Sequence, residues 1–253
     1  MITLTTDFGI RDPFAGIMKG VITGINPDAT VIDLTHAVEP QNTREGAFIL
    51  SISKPYFPKG TVHTVVVDPG VGGRRRAIAV KAEDCLLVGP DNGVLSWAFG
   101  DVKRAIIRQI TRPEYIRCSV SATFHGRDIF APAAAYLSAG VPVEDLGPAV
   151  YDPVMLPFPC ARESDGEIRG EVLYIDRFGN LITNIRPKNP DSVREVVIGT
   201  KTICRLSASY GEGGRGEAIA LVGSTEFIEI AVNLGSAADE LGVPVGEEVR
   251  VLL

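Results

Sequence analysis

Histidine is scarce in this chain: there are three, His36, His63 and His125, in 253 residues. Cysteine is little commoner. Its four residues, Cys85, Cys118, Cys160 and Cys204, are scattered without a Cys-x-x-Cys pair. That spacing excludes the usual structural zinc and dithiol motifs, and buried free thiols are expected instead. Long basic runs are missing too. The longest is Arg74, Arg75 and Arg76, in a chain of net charge −6. A nucleic-acid binder shows a basic stripe, so nucleic acid is not an expected partner. Residues 1–7 carry no basic segment and no long apolar stretch. Neither a signal peptide nor a membrane span is expected. Reduced thiols without a signal point to the cytoplasm. What is present is ordinary globular composition, 45% hydrophobic and 22% charged, with length for one large or two ordinary domains. A protein acting on a small molecule fits this profile.

The first part alternates two patterns. Strands are expected at 2–6, 30–34, 62–67, 77–80 and 85–88, and helices at 14–25, 43–54, 92–99 and 128–139. Asn26-Pro27 and Pro55 stop the first two helices. The β-branched run at 62–67 suits a strand buried on both faces. Together these predict an α/β layered domain with a mostly parallel sheet over residues 1–150. Residues 151–166 hold Pro153, Pro157 and Pro159, which predicts an extended linker. Beyond it, strands are expected at 167–176, 181–185, 195–199, 203–207, 218–222, 228–232 and 249–253, with one short helix at 237–241. Residues 167–253 are thus expected to form a small all-β domain, a barrel or a sandwich.

Several short motifs carry candidate chemistry. Thr5-Thr6-Asp7-Phe8-Gly9 ends the first strand, where open α/β sheets bind ligands. A carboxylate there can accept both hydroxyls of a ribose diol, or serve only as a turn residue. Asp12 either caps the following helix or faces the same pocket. Asp68-Pro69-Gly70-Val71-Gly72-Gly73 follows the third strand and matches no phosphate-loop pattern. Its distinctive feature is a carboxylate shortly before three arginines. An Asp–Arg pair holds charge and orientation, in a site or merely in a turn. Phe124-His125-Gly126-Arg127-Asp128 opens a helix. An imidazole can exchange a proton near neutral pH, whereas His36 and His63 read as structural. In the second domain, Asp176-Arg177-Phe178-Gly179-Asn180 and Thr183-Asn184 offer amides that suit a purine edge, or plain turns. Gly223-Ser224 with Glu229, and the loop from Asn233 to Ala238, are further small-residue segments. No cluster has metal-ligand spacing, so no metal is expected.

Read together, TTDFG, DLTHAVEP, VVVDPGVGG, GPDNG, TFHGRDIF, DRFGNLITN and NLGSAADELG resemble, in order, the motifs of the S-adenosyl-L-methionine (SAM) hydroxide adenosyltransferases. These are adenosine-forming SAM hydrolases, related to fluorinase and chlorinase. The resemblance implies an α/β domain plus a β-barrel domain. It also implies a homotrimer with active sites between neighbouring subunits. SAM would be the substrate, adenosine and methionine the products, and no cofactor would be needed. Asp7 would hold the ribose hydroxyls, Asp176 the methionine amino group, Ser224 its carboxylate and Asn180 the adenine, with Phe124 packed nearby. Asp68, Arg75 and His125 match the family's polar set. Asp68 or His125 would take a proton from water, and Arg75 would stabilise hydroxide-like charge. The halogenases carry tyrosine at the Asp68 position. The fluorinase carries serine at Gly126 and at Phe14, and tryptophan at Gln41. The departures at Asp68 and Gly126, where the nucleophile sits, imply water rather than halide, and those at Phe14 and Gln41 bear on the lining of the substrate pocket. The rival readings are a halide-dependent adenosyltransferase and a non-catalytic adenosine- or SAM-binding module.

Overall fold

A strand covered on both faces must be apolar or internally satisfied throughout. Ile2 and Leu4 are apolar and Thr3 and Thr6 bond His63 and His36, which leaves Thr5 Oγ1 as the one unpartnered polar atom of the opening strand. In a computed structural model describing residues 1–253, β1 (Ile2–Thr6) is buried along its whole length. Helix α1 (Phe14–Ile25) buries Met18 and Ile22 and ends at Asn26. Next come β2 (Val31–Thr35) and α2 (Thr43–Ser53), the helix capped by the Asn42 side chain accepting the Glu45 N–H. Then follow β3 (Val62–Val66), the hairpin β4 (Ala77–Ala82) and β5 (Cys85–Pro90), β6 (Ile106–Gln109) and α3 (Ala131–Ser138).

The six-stranded sheet has the order β2-β1-β3-β5-β4-β6. β2, β1, β3 and β5 are parallel, and β4 is antiparallel to both its neighbours. Alternation along β3 splits the core. Val62 and Val66 pack with α1 and α3 residues such as Met18 and Ala134. Val65 and the following Val67 pack with Leu50 of α2. Helices therefore cover both faces, the layered α/β arrangement expected from the alternating patterns.

Some elements differ from the sequence expectation. The helix expected at 92–99 is only a 3-10 turn, Ser96–Ala98. Asn92 uses its side chain to bond the Val94 N–H and the Val67 carbonyl, which favours a turn over a helix start. β6 is a short edge strand that periodicity missed. The helix expected from 128 begins instead as a π-helical turn, Gly126–Phe130, which runs into α3. Only Cys85 is buried; Cys118, Cys160 and Cys204 are exposed, and all four are free.

His36 and His63 are buried and structural. His36 Nδ1 lies 2.8 Å from Thr6 Oγ1, and His63 Nδ1 lies 2.8 Å from Thr3 Oγ1. Burial, with the Lys54 charge added, lowers the His63 pKa to about 4. Between pH 6.5 and 4 the unfolded chain therefore takes up a proton that the native chain refuses. Folding stability should fall over that window, by about 3 kcal/mol in all. Urea denaturation at pH 7 and pH 4.5 checks this: in His63→Gln the pH dependence should be visibly flatter.

The remaining strands form a separate unit. They are β7 (Arg162–Ser164), β8 (Glu167–Ile175), β9 (Leu181–Thr183), β10 (Glu195–Ile198), β11 (Lys201–Cys204), β12 (Ala218–Val222) and β13 (Ile228–Val232). Helix α4 (Ala237–Leu241) and β14 (Glu248–Leu252) complete it. The order is β11-β10-β14-β8-β9-β13-β12, with β7 on β8, and every pairing is antiparallel. The Ser207 N–H donates to the Ala220 carbonyl at 2.7 Å. That bond links the two ends of the strand order and bends the sheet towards a barrel around Val196, Leu181, Ile230 and Val251. β7 lies in the stretch expected as extended linker. β11 ends three residues before the expected 207, where Arg205 turns the chain with φ +59°. The chain divides into two compact units, Met1–Leu156 and Pro157–Leu253. No helix is long and apolar enough to cross a membrane.

Candidate active site

Two neighbouring parallel strands run into carboxylates. β1 leads to Asp7 and β3 to Asp68, so both lie beyond the carboxyl edge of the sheet, where such sheets bind ligands. β4 runs the other way, which brings the arginines before it to that same edge. The three then separate. Arg76 donates to Asp91 at 2.7 Å and to Asp152 at 2.6 Å. Asp91 also accepts the Val154 N–H at 2.8 Å, so Arg76 and Asp91 fasten the end of this unit. Arg75 turns to Asp68: Nε donates to Oδ1 at 2.9 Å and Nη2 to Oδ2 at 2.5 Å. These side chains are 5% (Asp68) and 11% (Arg75) exposed, a shielded bidentate pair of the strong kind.

His125 completes the set, with Nδ1 2.6 Å from Arg75 Nη2. A guanidinium can only donate, so Nδ1 accepts, and the neutral ring carries its proton on Nε2. Burial, and then the Arg75 charge, lower the His125 pKa against the pull of Asp68 and Asp128. Its neutral form is therefore favoured, in agreement with the geometry. The ring is placed by the π-helical turn that follows it, and such turns are frequent at functional sites. Asp128 in that turn is fully buried. It accepts from Arg127 Nε at 2.6 Å and from the Ser121 N–H at 2.8 Å, and it faces Arg117. Burial pushes the Asp128 carboxyl up, but these donors outweigh it and hold the pKa below the ordinary value. Asp128 thus ties the loop before Phe124 and His125 to the helix, a role the sequence reading missed. The Arg–Asp neighbours at 127 and 128 were its only signal.

Asp7 accepts the Gln41 N–H at 2.8 Å through Oδ2, and Gln41 has φ +68°. Asp12 is exposed in the turn before α1, and the Pro13 N-cap of that helix receives no side-chain bond. Its expected capping role is therefore absent. Phe124 stands edge-on to Phe8 and Phe14, with centroids 5.9 and 5.2 Å away. Phe8, missed as a site residue, immediately follows Asp7. Gly126 lies beneath this cluster. A Cβ there would sit 3.2 Å from Met18 Sδ and from Phe124 Cε2, and 3.4 Å from Phe8 Cζ.

In the second unit, Asp176 and Asn180 share one turn after β8. Asp176 Oδ1 accepts the Phe178 and Asn180 N–H groups, and Oδ2 accepts Asn180 Nδ2 at 3.0 Å. The turn borders an open recess of about 590 Å³. Ser224 is exposed in the β12–β13 turn. Beside that turn Glu229 is buried, 7% exposed, and accepts from the Tyr210 hydroxyl at 2.5 Å. Burial and the Asp176 charge raise the Glu229 pKa. No group of three or more His, Cys, Asp or Glu side chains stands close enough to share a metal ion.

A shielded Asp–Arg–His set at the carboxyl edge of an α/β sheet, in a chain that also carries a β-barrel, defines a small-molecule enzyme. The family is specific. Residues 2–147 match the SAM hydroxide adenosyltransferase N-terminal domain and residues 170–250 its C-terminal domain. The chain belongs to the SAM hydroxide adenosyltransferase family. It is 43% identical to an (R)-S-adenosyl-L-methionine hydrolase of Salinispora tropica, across 99% of this chain and 97% of that one. It is 41% identical to one of Thermus thermophilus, across 98% and 97%. A fluorinase of Actinopolyspora mzabensis is more distant, 27% identical across 99% and 96%. A crystal structure of an uncharacterized conserved protein from Thermotoga maritima shares the fold, with TM-score 0.93, 39% identity and full coverage of both chains.

Proposed function

We propose that this chain hydrolyses SAM to adenosine and L-methionine, by in-line attack of water on the ribose C5′. The carrying observation is Arg75 donating both to Asp68 and to His125 Nδ1. The sulfonium is already a good leaving group, so its departure needs no acid and no cofactor. As the O–C5′ bond forms, the C5′–S bond breaks and its electron pair stays on sulfur as the neutral thioether. A water proton is released. His125 cannot accept it while Nδ1 is held by Arg75 and Nε2 carries the ring proton. Asp68 retains free lone pairs and is the base. Arg75 stabilises the oxygen's developing charge, and His125 orients the water through its Nε2–H. Near-attack placement of this kind supplies roughly 7–11 kcal/mol.

The other residues hold the substrate. Asp7 has one oxygen committed to Gln41 and the other available for the ribose hydroxyls. Phe124, with Phe8 and Phe14, forms an apolar wall. Asn180 meets the adenine, Asp176 the amino group and Ser224 the carboxylate. Asp12 lies at the rim. Water rather than halide is the nucleophile, because the shielded Asp68 charge repels an anion and a serine side chain at 126 would crowd Met18 and Phe124. The relatives' name specifies the R configuration, which for an L-methionine derivative refers to the sulfur, and the same epimer is the substrate here. The working assembly is a cytoplasmic homotrimer with sites shared between subunits. Incubation with separated SAM epimers in ¹⁸O-water tests the reaction: the R epimer should yield ¹⁸O-adenosine. Unlabelled adenosine, or none, sinks the reading.

A further inference from the structure

We propose that the Asp91–Asn92 turn positions the Asp68–Arg75 pair. Asn92 sets the backbone that carries Asp68, and Asp91, acting through Arg76, sets the direction of Arg75. The inference rests on the hydrolase reading and names what holds its reacting groups in place. The turn belongs to the GPDNG segment and directly follows β5. Strand β3 loses its neighbours just before the site. Its pairing with β5 stops at Thr64 and its pairing with β1 at Val66, so the Val67 carbonyl, one residue short of Asp68, lies beyond both ladders. Val67 is fully buried, and a buried carbonyl needs a donor. The Asn92 side chain supplies it, Nδ2 donating to the Val67 carbonyl at 2.9 Å while Oδ1 accepts the Val94 N–H at 3.1 Å. A side-chain amide offers a donor and an acceptor at once, and here both engage backbone. The peptide leading into Asp68 is thereby fixed from the side.

The other partner is gripped twice. The Arg76 carbonyl accepts the Asp91 N–H at 2.9 Å, which continues the β4–β5 ladder one residue beyond the Ala77–Pro90 pair. The Arg76 side chain donates to the Asp91 carboxylate at 2.7 Å, and that carboxylate is buried, 2% exposed. Side chains alternate along such a ladder. With Arg76 committed to Asp91, Arg75 faces the other way, towards Asp68 and His125. The turn is itself braced. Asp91 Oδ1 accepts the Val154 N–H at 2.8 Å, Ser96 Oγ accepts the Leu156 N–H at 3.1 Å, and Trp97 Nε1 donates to the Leu156 carbonyl at 3.0 Å. Gly93, with φ +93°, makes room for the Leu156 side chain, since a Cβ there would stand 2.5 Å from Leu156 Cγ. One braced turn therefore holds both flanks of the bidentate pair. A reacting set works only when held within about 0.5 Å of its productive geometry.

The experiment compares the full-length wild type with Asn92→Ala, Asp91→Asn and Asp152→Asn. Asp152 also bonds Arg76 but is 84% exposed, and it serves as the control. Calorimetric titration with adenosine counts binding-competent sites, and kcat is expressed per such site. In Asn92→Ala, kcat for adenosine formation should fall on the order of 10- to 100-fold, the scale of an ångström-sized misplacement. The KM for SAM should stay near the wild-type value, because the turn contacts none of the proposed substrate ligands. Asp91→Asn removes the charge facing Arg76 and should move kcat the same way by less, while Asp152→Asn should behave as the wild type. The three histidines of the chain give a second readout, the ¹⁵N spectrum of the imidazole rings. His125 Nδ1 reports on Arg75, so its signal alone should move in Asn92→Ala and Asp91→Asn, with His36 and His63 unchanged. An unchanged kcat, a rise in KM as large as the fall in kcat, an unmoved His125 signal, or all three rings moving together overturns the inference. So does an Asp152→Asn effect as large as that of Asp91→Asn. If Asn92→Ala does not fold, Asp91→Asn decides by the same criteria. The spectra do not depend on turnover: a wild type that forms no adenosine sinks the hydrolase reading, and the His125 response still decides whether the turn holds Arg75.

Discussion

Asp68→Asn is expected to lower SAM turnover at least ~100-fold, the usual size of a lost proton acceptor. The substitution keeps the side chain's shape but removes its charge. One amide oxygen still accepts from Arg75, while the amide NH₂ now opposes a guanidinium that can only donate. Arg75 is held by both Asp68 and His125, so the loss also loosens the imidazole that orients the water. The pair is shielded from solvent, and breaking a buried pair costs about 3–5 kcal/mol when a partner is removed outright. The isosteric amide should cost less, and circular dichroism should show a folded variant. The measurement is kcat/KM for adenosine release, with the melting temperature as control. An unchanged rate in a folded variant removes Asp68 from the mechanism.

Gly72→Ala is expected to damage the site through the backbone. Gly72 has φ +74°, a region open to glycine and strained for alanine. A methyl group there would also run into the carbonyl oxygen of Ala122, three residues before His125. Neither partner is the end of a flexible side chain, so the 68–73 loop or the 121–125 loop must move. Crowding alone costs about 1–3 kcal/mol, and the strained φ adds to it. Because the two loops carry Asp68 and His125, activity should fall further than stability. Thermal melting and kcat measured together check this. Gly73→Ala is a useful comparison: Gly73 lacks the positive φ, and its Cβ would meet the Gly70 carbonyl oxygen at 3.1 Å, a tight but milder contact. Equal effects of the two substitutions would contradict the argument.

Much of this architecture was legible from short-range pattern. β1, α1, β12, β13 and α4 occupy their expected positions, because their periodicity and stop signals lie within the element itself. The change from alternating helices and strands to strands alone marked an α/β part and a β part. The ordered motifs brought Asp7, Asp68, His125, Asp176 and Asn180 to attention. What the chain alone left open was non-local. The motif resemblance picked Arg75 from the three arginines, but its contact with Asp68 depends on β4 running antiparallel beside β5. The proton position on His125 follows from a contact fifty residues away in sequence, and the proposal of Asp68 as base rests on it. Asp128, which the sequence placed only at the start of a helix, is a buried anchor because Arg117, Ser121 and Arg127 surround it in space. The GPDNG motif drew notice without a role, since only the β4–β5 pairing and the turn after it bring Asp91 to Arg76 and Asn92 to the Val67 carbonyl. Local sequence determines which elements form and which residues have useful chemistry. The tertiary fold decides which donor faces which acceptor, because hydrogen bonds act only over a few ångströms and are blind to separation along the chain.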